Sequence, residues 1–106
     1  MSGLKLPPRL RMDGARAAWA QMSPALRAEA AQVLAAAGRE VRLSAAALTD
    51  FDSSALSLLL SATRQCNEQG AMLKIDDVPE KLRELARVYG VAELLWAPPN
   101  QSATAA

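Results

Sequence analysis

The chain contains no histidine, and this absence excludes several classes of active site. Without histidine, Ser-His-Asp triads and Cys-His pairs cannot form, and the commonest side-chain metal ligand is missing. The single cysteine, Cys66, can neither close an internal disulfide nor hold a metal by itself. The five glycines stand singly, so the chain has neither a Walker A loop nor a dinucleotide-binding fingerprint. We therefore predict a protein that is not an enzyme and that uses no cofactor and no metal.

The chain also lacks a strong net charge and a long apolar run. Its 12 basic and 11 acidic residues nearly cancel, which gives no general attraction to nucleic acid. No segment approaches the roughly 18 consecutive apolar residues of a membrane helix. Residues 1–12 carry two prolines and three basic residues instead of the apolar run of a signal peptide. We expect a cytoplasmic protein that binds no nucleic acid and reaches a membrane only through a partner.

With 106 residues, the chain has room for one domain, and its four aromatic residues predict an aliphatic core. The spacing of hydrophobic residues, with Gly and Pro at the ends of segments, predicts strands at 3–6, 41–43 and 71–76. The same signals predict helices at 13–22, 24–37, 53–69, 79–90 and 91–95. Residues 13–37 form either two helices, the second capped by Ser23, or one kinked helix. The order β-αα-β-α-β-α predicts an α/β fold, with a mixed sheet of about three to four short strands covered by helices. We assign the domain to residues 1–96 and a disordered tail to residues 97–106.

The start of helix 53–69 is the most informative stretch. Asp52 is placed to cap the helix, and Phe51 and Leu56 have the spacing of a hydrophobic staple. Ser53 becomes the first helical residue, where the helix dipole and unpaired amides favour negative charge. The simpler interpretation is that Asp52 and the serines only start a helix.

The same helix divides into two faces when it is turned by about 100° per residue. The core stripe comprises Leu56, Leu59, Leu60, Thr63 and Cys66. The opposite face carries Ser53, Ser57, Ser61, Arg64 and Glu68. Leu58 falls at the edge of this second face and is predicted to be an exposed apolar anchor for a partner. The predicted partner-binding residues are Asp52, Ser53, Ser54, Ser57, Leu58, Ser61 and Arg64; a solvated face without a partner is the alternative.

Four carboxylates in predicted loops leave an enzymatic alternative open. Asp50, Asp52, Asp76 and Asp77 adjoin strand ends and could meet at one end of the sheet. Loop carboxylates of this kind more often cap helices and interact with solvent than bind a metal.

Residues 41–95 resemble the STAS family (sulfate transporter and anti-sigma factor antagonist). The similarity rests on Asp52-Ser53-Ser54-Ala55-Leu56, the segment from Gly70 to Ile75, and the helix between Pro79 and Gly90. Residues 85–95, which include Tyr89-Gly90-Val91, are similar to the MlaB-type branch. Two positions depart from the family pattern: Ala55 replaces its usual Gly, and Ser44 stands where many members carry Asp.

The resemblance implies a function and a role for Ser53, which falls on the family's phosphorylatable position. It implies a noncatalytic subunit that binds and regulates the ATPase of a bacterial ABC transporter for phospholipid, which maintains outer-membrane lipid asymmetry. Such a protein would be peripheral at the inner membrane through the transporter complex. The alternative is an anti-sigma factor antagonist that a serine kinase switches at Ser53.

Overall fold

The computed structural model describes residues 4–96, which form five short strands and four helices. The strands are β1 (Leu4–Lys5), β2 (Arg9–Leu10), β3 (Glu40–Ser44), β4 (Asp50–Phe51) and β5 (Met72–Asp76). The helices are α1 (Met12–Ala35), α2 (Ser54–Gln69), α3 (Glu80–Val88) and α4 (Ala92–Trp96). The predicted α/β fold is confirmed. The predicted disordered tail, 97–106, lies outside the described residues.

The strands form two parallel sheets. The larger sheet has the order β1-β3-β5, with Val41 opposite Leu73 and Leu43 opposite Ile75. The smaller sheet pairs β2 with β4 and places Leu10 opposite Phe51. The prediction of a mixed sheet is therefore wrong in this detail. A helix lies between the partners of every described pair and returns the chain to the same end of the sheet, so that the strands pair in parallel.

Helix α1 is continuous and contains Pro24 in its interior. Ser23 is therefore not a helix cap, and its hydroxyl and carbonyl groups bond to Gln65 of α2 instead. A proline inside a helix removes one backbone hydrogen bond and costs about 3 kcal/mol. Packing of α1 against α2 and the sheet offsets this cost. Local sequence patterns do not reveal that packing. Asp13 has the residue type of a helix cap, but Arg11 occupies the N-cap of α1 and Asp13 lies in the first turn.

Helices α1 and α2 cover one face of the larger sheet. Val41 and Leu43 of β3 are fully buried under these helices, whereas Glu40 and Arg42 on the other face are exposed. Two clusters make up the core; one joins Leu26, Ala30, Val41, Ala62, Cys66 and Ala71, and the other contains most of the remaining buried leucines. The core is aliphatic, as predicted. None of the helices in residues 4–96 combines the length and the apolar character needed to cross a membrane.

The i, i+3, i+4, i+7 spacing of Leu82, Leu85, Ala86 and Tyr89 predicts that all four face the core, and the end of α3 corrects this prediction at Tyr89. Leu82 and Ala86 are buried as expected, but Tyr89 is 58% exposed. The helix ends at Val88, and Gly90 adopts a positive φ of 73° that redirects the chain. Tyr89 lies in this turn and no longer follows the helical spacing that predicted its burial.

Candidate partner-docking site

The pairing of β2 with β4 brings the start of α1 beside the start of α2. The carboxylate of Asp52 links the two helices. Its Oδ2 accepts a hydrogen bond from the backbone N–H of Met12 at 3.0 Å, and its Oδ1 accepts one from the N–H of Ser54 at 2.9 Å. Oδ1 also accepts a hydrogen bond from the Ser54 hydroxyl. Asp52 therefore accepts a first-turn amide of α2 as predicted, although the helix begins at Ser54 and Ser53 occupies the N-cap position.

These hydrogen bonds lower the pKa of Asp52 below its ordinary value of 3.8. The largest cause is the bond from the Ser54 hydroxyl, followed by the bonds from the Met12 and Ser54 amides. Partial burial opposes the shift, and the nearby positive charge of Arg11 adds to it. Asp52 is therefore ionised at neutral pH and serves as an acceptor for both helices.

The first-turn amides of α2 all have acceptors, which corrects the prediction of unpaired amides beside Ser53. The N–H groups of residues 54–57 donate to the side chain or carbonyl of Asp52 or to the carbonyl of Ser53, at distances between 2.9 and 3.3 Å. An anion at Ser53 would therefore meet the helix dipole but none of these amides as a free donor. The start of α2 is a helix cap whose amides already have acceptors, and it is not a binding site with free amides for an anion.

Exposed ion pairs connect the elements around this cap. Arg11 Nε lies 2.6 Å from Asp50 Oδ1, and Arg9 lies 3.6 Å from Asp50 and 3.1 Å from Asp13. Asp76 is engaged by Arg42, with two N–O distances of 3.0 Å. Within residues 4–96, no three His, Cys, Asp or Glu side chains are grouped so that they could hold a metal ion.

The outer face of α2 carries hydroxyl groups without partners. The side chains of Ser53, Ser57 and Ser61 make no hydrogen bond within residues 4–96; Ser57 is exposed and the other two are half-buried. Ser54 differs from them, because its hydroxyl is engaged by Asp52. The structure therefore separates Ser54, which stabilises the helix start, from three serines that are available to another molecule.

Leu58 does not belong to this face, contrary to the prediction. It is only 4% exposed and lies in the core, whereas Leu60, predicted to be in the core stripe, is half-buried. Leu60 packs against the edge of the core and stands three residues after Ser57 and four before Arg64, so it borders the row of these two exposed residues. We call Ser53, Ser57, Leu60, Ser61 and Arg64 the docking ridge.

Packing of α2 on two sides explains the exchange of these leucines. One side covers the sheet, and the other contacts α1 through Gln65, which is 9% exposed. The Gln65 amide bonds to the hydroxyl and carbonyl groups of Ser23, and Gln69 donates to the carbonyl of Arg27 at 3.2 Å. Sequence reasoning missed this contact because its partners lie 42 residues apart.

Two other predictions about α2 are confirmed. Cys66 is fully buried, and burial raises the pKa of its thiol. Gly70 ends the helix with a φ of 90°, a left-handed conformation that glycine adopts without steric cost. Gly70 leads directly into Ala71 and β5, so α2 and the sheet are joined by a short, defined turn.

Several apolar side chains are exposed outside the docking ridge. Met12, whose amide bonds to Asp52, is 74% exposed. Val88, Tyr89 and Leu94 are exposed around the turn between α3 and α4. The helical spacing did not predict that these side chains are exposed, because each lies near the end of a helix, where the regular pattern stops.

The α/β fold of residues 4–96 is that of a STAS-like domain, and a family comparison agrees. A family model described as "Mlab, STAS domain" matches residues 4–96. The chain therefore belongs to the STAS family, in its MlaB-type branch. No curated protein matches the sequence. STAS domains are generally noncatalytic regulatory domains.

Proposed function

We propose that this chain is a noncatalytic subunit that binds and regulates the ATPase of an ABC transporter for phospholipid. Family membership supports this class of function, and the docking ridge offers a contact surface. The observation that carries the proposal is the row of Ser53, Ser57 and Ser61 on one helix face, each hydroxyl without a partner within residues 4–96. Small side chains allow another helix or loop to approach closely, and their hydroxyls can donate to it.

The same geometry is poorly suited to nucleophilic catalysis. A serine nucleophile needs an adjacent base that can accept its proton. The chain has no histidine, and the carboxylate beside Ser53 is already held by Met12 and Ser54. The pKa of Asp52 is also lowered, which makes it a weaker base. A docking role requires neither deprotonation nor a bound cofactor.

The docking ridge is held rigidly at two places. Asp52 ties the start of α2 to α1, and Gln65 ties the middle of α2 to α1 one helical turn after Ser61. Such preorganisation lowers the entropy that is lost when a partner binds. In the proposed complex the chain is cytoplasmic and lies at the inner membrane only through the transporter.

The alternative function, an anti-sigma factor antagonist, depends on Ser53. Ser53 is half-buried and its hydroxyl has no partner within residues 4–96, so a kinase has an acceptor group that this part of the fold does not already use. A phosphate would add about −1.5 to −2 charges next to Asp52. Because the amides of residues 54–57 already have acceptors, they would offset little of this repulsion. Phosphorylation would therefore act by blocking the docking ridge.

Co-purification with a tagged ABC ATPase from the same organism tests the leading proposal. Ser53→Glu and Ser57→Glu place charge and bulk on the docking ridge and should abolish retention. Ala28→Glu on the exposed side of α1 is a matched control that should be retained. All three variants should melt within a few degrees of the wild type. Retention of both serine variants would rule out this surface.

A second measurement addresses the alternative. The purified protein is incubated with ATP and the serine kinases encoded near the organism's anti-sigma factors, and Ser53 is then examined by mass spectrometry. Modification of Ser53 and loss of anti-sigma factor binding would favour the switch. Unmodified Ser53, together with retention by the ATPase, would favour the transporter subunit.

A further inference from the structure

The docking ridge contains one positive charge, and no described residue between 4 and 96 pairs with it. Arg64 is the only basic residue in α2, it is exposed, and it makes no ion pair or hydrogen bond within residues 4–96. Glu68 lies four residues later, a spacing that often permits pairing, yet the two side chains form no salt bridge. Arg42, by contrast, is held by two carboxylates on the exposed face of the sheet.

Arg64 lies in the same row as the unpaired hydroxyls. It follows Ser57 by seven residues and Ser61 by three, which places all three on one side of the helix. Asp52, the acidic residue at the start of α2, is committed to two backbone amides and the Ser54 hydroxyl. Between that cap and Glu68, α2 carries no other charged side chain than Arg64. The surface offered to a partner is therefore polar, partly apolar at Leu60, and positive at Arg64.

We propose that the protein partner on the docking ridge presents an Asp or Glu side chain to Arg64, together with an apolar side chain to Leu60. This inference rests on the proposed function and specifies the chemistry of its partner surface. A guanidinium group presents a planar fork of donors that matches a carboxylate better than any neutral group. Repulsion by Glu68 places that carboxylate on the side of Arg64 nearer to Leu60. The partner segment is therefore acidic and apolar, and it runs along α2 from Ser57 to Arg64.

Affinity measurements with the purified ATPase test this inference. Arg64→Gln removes the charge and should weaken binding about tenfold, while Arg64→Glu should weaken it about a hundredfold or more. Arg87→Glu changes an exposed arginine on α3, which lies outside the docking ridge, and should leave the affinity within about twofold. Added salt should weaken wild-type binding more steeply than binding of Arg64→Gln, because that variant lacks the proposed ion pair.

Charge exchange gives the decisive result. Binding lost in Arg64→Glu should return when one acidic residue of the ATPase is changed to Lys. If Arg64→Glu binds the ATPase with wild-type affinity and Ser57→Glu does not bind it, the acidic contact is overturned but the docking ridge is retained. Wild-type affinity of both variants would overturn the ridge and the proposed function with it. Loss of binding that no Lys substitution among the ATPase's exposed acids restores would also overturn the acidic contact.

Discussion

Gln65 of α2 and Ser23 of α1 exchange two hydrogen bonds across the helix interface. The Ser23 hydroxyl donates to Gln65 Oε1 at 2.7 Å, and Gln65 Nε2 donates to the Ser23 carbonyl at 2.9 Å. Gln65 is the polar residue that lies among the otherwise apolar buried positions of the described chain. Its amide is satisfied by a residue beside Pro24, within the part of α1 that lacks one helical hydrogen bond. The pair therefore fixes α2, and with it the docking ridge, against the interrupted part of α1.

Removal of the Gln65 amide should destabilise the domain without changing its fold. Gln65→Ala is expected to lower the free energy of unfolding by about 1–3 kcal/mol, because it removes both bonds and leaves the half-buried Ser23 hydroxyl poorly satisfied. A double-mutant cycle with Ser23→Ala should give a coupling energy of about 0.5–1.5 kcal/mol, the share of the hydroxyl bond alone. Urea unfolding followed by circular dichroism measures both values. A coupling energy near zero would contradict a direct bond.

Leu58 and Leu60 should respond in opposite ways to substitution. Leu58→Ala is expected to lower the free energy of unfolding by about 2–5 kcal/mol, because the side chain is buried in the main core cluster. Leu60→Ala should cost roughly half as much, since its side chain is half-buried. In binding to the ATPase the order reverses: Leu60→Ala should weaken the complex more than Leu58→Ala, provided that both variants are measured while folded. Equal thermal stabilities would contradict the assigned burial.

The stability of the domain should depend on the ionisation of Asp52. The pKa of Asp52 is lower in the folded than in the unfolded chain. The ionised carboxylate therefore stabilises the fold at pH values above the ordinary pKa of 3.8. This contribution is lost as the pH falls through the folded-state pKa. Wild type should therefore exceed Asp52→Asn in stability by a constant amount between about pH 5 and 7, and the difference should shrink below pH 3.8. Urea unfolding at a series of pH values provides the test, and a difference that does not change with pH would contradict it.

Cys66 should be unreactive while the domain is folded. It is fully buried, and burial raises the pKa of the thiol, so little reactive thiolate is present. Modification by a thiol reagent at pH 8 should be slower than in the denatured protein by about a thousandfold or more, because it requires opening of the core. Mass spectrometry at timed intervals measures this rate. Rapid labelling of the native protein would show that the core cluster containing Cys66 opens easily.

Much of the architecture could be predicted because its causes are local. Gly70 ends α2, Asp52 accepts a first-turn amide, and the alternation of Val41 and Leu43 with charged residues marks the buried face of β3. These features depend on backbone conformation or on residues within a few positions of each other. The order of β3, α2, β5 and α3 and the family resemblance followed from the same local patterns.

Other features could not be predicted from neighbouring residues. Strands β2 and β4 contain two residues each, and they exist only because they pair with one another. The continuity of α1 through Pro24 depends on contacts with α2 and the sheet. Sequence spacing also assigned Leu58 to the surface, because it could not show that α2 is covered on a second side by α1.

The sequence by itself determined the class of fold, the start and end of α2, and the hydroxyl row that includes Ser53, Ser57 and Ser61. Helix periodicity and capping act over a few residues, so the amino-acid order is sufficient to specify them. Only the tertiary structure decided that Leu60, and not Leu58, borders that row, that Gln65 and Asp52 hold it in place, and that Arg64 has no counter-ion in the described chain. These outcomes depend on which sides of α2 are covered by segments about 40 residues away, and that information arises only when the chain is folded.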